Sequence, residues 1–274
     1  MDKNTQDDLT TKHREVILKY LDKTEEDLAE SVKLMKSWFK TQPHLPEVPS
    51  TKKIEFYIVN NTFNLESAKT RIDQFYTSRS TLTAIFDTSN PKSPEQKAAI
   101  DSAQIVPLPK LYDDLYGVIL FKMRENIPVN LDPHWWLGAL VNAHEVKIHE
   151  SLMLNYIVVY DLEHMTLGHL LKITPMFAVN SSKISEVKNH LTAGVPQGSC
   201  TNTIRCTTVT SQIQTNKYIH TSLATWIKKY EEYQEHFDRL DTLRVDESLR
   251  PNPDVPKDLI GLGFDHFRKM FFDS

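Results

Sequence analysis

Histidine, glutamate and cysteine are the residues of this chain whose spacing could support chemistry. His144-Glu145 opens like the helix of a zinc protease, but the next histidine, His149, lies five positions on. That motif needs four, which would bring both imidazoles onto one helical face. At about 100° per residue the two rings point roughly 140° apart. His164 and His169 repeat the spacing and its outcome. Cys200 and Cys206 lack a second cysteine pair and read as free thiols. No metal site and no cofactor are therefore expected. A nucleophilic serine would need the tight turn of a G-x-S-x-G motif, which is absent, and 7 glycines leave little material for phosphate-cradling loops. The expectation is a protein that is not an enzyme. Asp161-Leu162-Glu163 follows an expected strand, where α/β folds place ligand groups, although Asp161 could equally cap a helix turn.

The elements that would hold these groups are read from apolar periodicity. Leu28, Val32, Met35 and Phe39 recur at spacings of three and four, an amphipathic helix that Pro43 and Pro46 end. Leu65, Ala68, Ile72, Phe75 and Tyr76 make a second, with Asn64 in N-cap position. Ile54–Val59 fits a helix or a strand, and Thr88–Gln96 reads as a linker. Tyr116–Met123 and Tyr156–Tyr160 are β-branched and aromatic runs of strand length. Between them His134–His149 is helix-length and starts behind Asp132-Pro133, so strand, helix and strand form a βαβ unit. Met165–Ile173 offers a further helix. Residues 192–216 carry no sustained period, and Leu223–Leu240 returns to helix with a stripe of Trp226, Tyr230, Tyr233 and Phe237.

Across 274 residues, 40% hydrophobic and 25% charged is an ordinary soluble composition. A net charge of −4, from 32 basic and 36 acidic residues, gives no electrostatic reason for nucleic-acid binding. Two cysteines and no secretory-type start predict a cytoplasmic protein.

Four short motifs in order carry a resemblance: WFKTQPHLP (38–46), FNLESAKTRIDQFYTSR (63–79), VPLPKLYDDLYGVILFKM (106–123) and VVYDLEHMTLGHLLKITP (158–175). Together with TSLATWIKKYEEYQEHF (221–237), this order resembles the CRAL-TRIO lipid-binding family, and most closely its insect members related to alpha-tocopherol transfer protein and retinaldehyde-binding protein. The resemblance implies an α/β fold, with an N-terminal helical lobe followed by a lipid-binding α/β lobe. The corresponding division is an unstructured 1–14, a helical lobe over 15–90, an α/β lobe over 91–220 and a C-terminal helix and extended tail over 221–274.

By the same resemblance Tyr160, Gly168 and Leu171 would face an apolar pocket, with Trp135, Trp136, Leu140 and Phe177 extending it. Lys183–Gln197 is similar to the family's gate helix, and Lys188 stands where the family's phosphoinositide-contacting lysine stands. The basic residue expected within FYIVNNTFN (56–64) is missing. After Pro175 a stretch that includes a sheet strand is missing as well, and residues 199–216 match nothing in the family pattern, so the sheet is expected to be incomplete and that segment aberrant. The function implied is a monomeric carrier that exchanges a small lipophile, such as a retinoid, carotenoid or tocopherol, at membrane surfaces with phosphoinositide assistance. The alternative is a pocket-deficient isoform that acts as an interaction module or binds no lipid.

Overall fold

The computed structural model describes residues 3–161, 163–172 and 215–251. Seven helices and a small sheet make up its first part. Helix α1 (Lys3–Tyr20) begins inside the stretch whose polar composition reads as unstructured. Its buried Ile17 and Leu18 dock it on the remainder, a tertiary contact that composition does not reveal. Helix α2 (Glu25–Phe39) starts from a capping box: Thr24 Oγ1 accepts from the Asp27 N–H at 3.1 Å, and Asp27 Oδ2 accepts from the Thr24 N–H at 2.9 Å. Its buried residues are Leu28, Val32, Met35 and Phe39, the expected stripe.

Ile54–Val59 resolves as part of helix α3 (Thr51–Asn60), which Ser50 caps through the Lys53 N–H. Every residue of α3 from Ile54 to Asn60 except Glu55 is buried, so neither a strand nor a helix period could show. Thr62 and Phe63 then take left-handed φ values of 50° and 62°, reversing the chain into helix α4 (Leu65–Thr81) behind its Asn64 cap. A short α5 (Thr83–Phe86) follows. The expected linker around Thr88–Gln96 instead ends in helix α6 (Pro94–Ser102), with Ser93 as cap and Pro94 in its first turn.

The sheet has order β1-β2-β3. β1 (Ala103–Pro107), a strand too short to announce itself, runs antiparallel to β2 (Tyr116–Met123), pairing Ala103 with Met123 and Pro107 with Ile119. β2 runs parallel to β3 (Asn155–Asp161), pairing Tyr116 with Asn155 and Lys122 with Asp161. Helix α7 (Pro133–Glu150) connects them, so the strand–helix–strand unit is present and the fold is mixed α/β. Gly117 permits the close fit beside it, since a Cβ there would lie 2.8 Å from Met153 Sδ and 2.9 Å from the Tyr156 ring.

Helix α7 is buried almost all round, from Trp136 to Ile148 without a break. It lies between the helical bundle and the sheet, contacting α3, α5 and α6 on one side and β1 on the other. Beyond β3 comes α8 (Leu167–Lys172). The expected helix over Leu223–Leu240 is two: α9 (Thr215–Glu232) and α10 (Gln234–Thr242), broken at Tyr233. The proposed gate helix and the aberrant segment 199–216 lie largely outside the described residues.

Polar ties join the ends of the chain. Trp226 on α9 donates from Nε1 to the Pro107 carbonyl at 3.1 Å. Arg79 Nη2 donates to the Leu240 carbonyl at 3.1 Å, and Asn90 Nδ2 reaches Asp238 at 2.9 Å and Asp241 at 2.7 Å. Arg250 forks onto Asp73 of α4, with contacts of 2.6 and 3.0 Å. Burial alone would push the Asp73 carboxyl up, but Arg250 and His44 draw it below its ordinary value. Asp73 therefore contributes stability that is complete above the unfolded carboxylate pKa of about 3.9 and is lost as pH falls through the lower folded value. Acid titration followed by circular dichroism should show this component in the native chain and lose it in Asp73→Asn.

Candidate functional site

Where α3, α7 and α10 meet, a group of ionisable side chains is withdrawn from water. Lys53, on α3, donates from Nζ to Glu145 of α7, at 3.0 Å from Oε1 and 2.9 Å from Oε2, with both side chains almost fully buried. The same ammonium sits 3.6 Å from the Phe75 ring centroid, a cation–π contact on its far side. Arg79 stacks 4.8 Å from the Phe86 ring and pairs loosely with Asp241 at 3.8 Å.

His236 of α10 brings Nε2 to 3.4 Å from Glu145 Oε2. His149, one turn beyond Glu145 on α7, lies against His236, with ring centroids 4.6 Å apart. One ligating atom from each of Glu145, His149 and His236 lies within 4.8 Å of the others. Burial alone would raise the Glu145 carboxyl, but Lys53, with His236 and His144, holds it well below the usual carboxylate range. Burial pushes the His149 imidazole down to about 4, against the pull of Glu145, so it is neutral at physiological pH. A carboxylate and two imidazoles offer one oxygen and two nitrogen donors.

Sequence spacing singled out His144 and His149, which occupy different surroundings. His144 packs on Phe56 at 5.3 Å and Tyr156 at 4.3 Å, while His149 faces Tyr233 and His236. The pair that converges is Glu145 with His149, at the four-residue spacing that places side chains on one helical face. That signal was available in the sequence; the contribution of His236, from 87 positions later, was not.

Of the residues expected to line a lipid pocket, Trp135, Trp136, Leu140 and Tyr160 belong to the core or pack against it. Trp136 is buried, donates from Nε1 to Ser102 Oγ at 2.8 Å and packs on Phe121 at 5.8 Å. Tyr160 meets the same Phe121 at 5.4 Å, so the three rings fill a layer. Leu140 is buried and Trp135 partly buried in the core. Gly168 faces Val129, whose Cγ1 would lie 2.8 Å from an added Cβ. Leu171 belongs to α8, with its side chain outside the description, as are Phe177 and Lys188 altogether. Asp161 and Glu163 hold Lys122 at 3.0 and 2.7 Å. Two cavities found among the described residues are a cleft of about 440 Å³ between Leu18 and Glu25 and a gap of about 70 Å³ beside Arg14 and Ile148. None of the expected pocket residues lines either one.

Residues 24–96, which span α2 to the start of α6, match the family model described as a Pinta-like UBA domain. The segment is UBA-like. This corrects the CRAL-TRIO resemblance, which no other family evidence supports, and with it the expectation of lipid-binding transport. The partners expected from that resemblance, a lipophilic ligand and phosphoinositide-bearing membranes, are corrected with it. No curated protein matches the chain. Among the described residues no helix is long and apolar enough to cross a membrane. The ordered short motifs misled because apolar helix and strand patterns of this kind recur wherever helices cover a sheet.

Lys53 belongs to the UBA-like segment and Glu145 does not, so their pair ties the two together. Replacing Lys53 with Met leaves the Glu145 charge buried without its partner, at an expected cost of about 3–5 kcal/mol in urea unfolding. Lys53→Met combined with Glu145→Met should recover most of that loss. A double variant as unstable as the single one would assign the cost to packing.

Proposed function

We propose that this chain is a non-enzymatic protein-interaction module, whose UBA-like helices recognise ubiquitin or a ubiquitinated protein. The observation that carries the reading is the match of residues 24–96 to a UBA domain. It accords with the pocket-deficient alternative that the interrupted sheet pattern raises, and with the filled aromatic layer at Phe121, Trp136 and Tyr160.

The UBA-like helices also present a surface suited to a protein partner. Leu34 on α2 is exposed, and Trp38, one turn further along the same face, is only partly buried. Lys69 of α4 lies 6.0 Å from the Trp38 ring centroid, so an apolar strip is bordered by a cation. Such a mixture of aromatic, aliphatic and basic groups fits a small transient interface better than an aqueous surface.

The test is titration of ubiquitin into the isotope-labelled full chain, followed by amide shifts. Saturable shifts over α2 and α4 are expected, and Leu34→Asp should abolish them without moving the thermal midpoint, because Leu34 is outside the core. Spectra unchanged by ubiquitin would overturn the reading.

A further inference from the structure

The cluster of Glu145, His149 and His236 has a property that ubiquitin recognition does not use. Its three donors come from two helices, Glu145 and His149 from the last turns of α7 and His236 from α10, and each directs one ligating atom into a common space. We propose that Glu145, His149 and His236 form a binding site for one divalent transition-metal ion of the zinc class.

The donor chemistry selects the ion. Two imidazoles and one carboxylate suit zinc and its neighbours, whereas calcium and magnesium require oxygen-rich sites. Three protein ligands leave a fourth position for water. A second observation points the same way. Nε2 of His149 is buried and has no hydrogen-bond partner among the described residues. Buried polar atoms are almost always satisfied, and a metal ion would satisfy this one.

Lys53 does not exclude the ion. It contacts both Glu145 oxygens, at 3.0 and 2.9 Å, while His236 faces Oε2. With the metal on Oε2, the ammonium keeps Oε1 and its Phe75 face, and becomes the outer partner that orients the ligating carboxylate. Nor is the surrounding charge uncompensated, because Arg79 is paired with Asp241. For bonds of about 2.0–2.1 Å the donors must draw together from their 4.8 Å limit. His236, whose side chain is 24% exposed on α10, has the freedom to do so and offers the entry path.

The full chain, stripped with a chelator and dialysed, is titrated first with Co²⁺ and then with Zn²⁺. One Co²⁺ per chain should bind, with the intense visible absorption of a four- or five-coordinate nitrogen and oxygen site, and Zn²⁺ should displace it and raise the thermal midpoint. His236→Gln and His149→Gln, each checked for native circular dichroism without metal, should weaken binding by more than the roughly 10–100-fold that outer partners command. Weak octahedral Co²⁺ in the native chain would overturn the proposal, and so would a sulfur charge-transfer band. Uptake unchanged in a folded His236→Gln would also overturn it, as an adventitious ion at other histidines. Should His149→Gln fail to fold, the native titration and His236→Gln still decide.

Discussion

Lys53 and Glu145 bring opposite charges into contact at a place where water scarcely reaches, and the arrangement of the helices follows from the need to keep them together. A buried carboxylate without a cation is far more costly than an apolar residue, so α3 cannot shift along α7 without stranding one charge. The geometry is further fixed from behind, where the Phe75 ring of α4 faces the ammonium. Three helices are thereby registered on one ammonium group. Apolar packing supplies most of the burial, but it tolerates sliding in a way that a charge pair does not.

Helix α7 is the element around which both halves assemble. Its burial on every side means that it has no solvent face to carry a polar stripe, and its ionisable residues need partners or must lose their charge. Glu145 finds Lys53 and His236, whereas His149 is driven neutral. Asn142 donates to the Ser89 carbonyl at 2.6 Å, and Gln96 donates to that of Trp135 at 3.1 Å. These contacts bind the α6 region to α7 through groups that a purely apolar interface would lack.

Much of this fold was legible. The stripes of α2 and α4, their caps and the β2–α7–β3 unit are local patterns, and local patterns are what a sequence displays. What escaped notice depends on distance along the chain. α3 is buried too completely to show a period, and β1 acquires strand identity only by pairing with β2. Tyr233 breaks the C-terminal helix although its aromatic stripe continues across the break. For the cluster, the four-residue spacing of Glu145 and His149 was readable, but Lys53 and His236 join it from separate helices. Two of the residues read from the apolar motifs, Trp136 and Tyr160, do converge, on Phe121 between them.

The ties between the two ends of the chain set a schedule for its birth. Arg79 waits for a carbonyl 161 positions later, and Asp73 for a guanidinium 177 positions later. At about 5–20 residues per second, a ribosome takes roughly 8–35 seconds to deliver those partners. Until then Arg79 and Asp73 lack the partners that the finished protein gives them. Leu240 and Arg250 therefore close over helices that were synthesised much earlier.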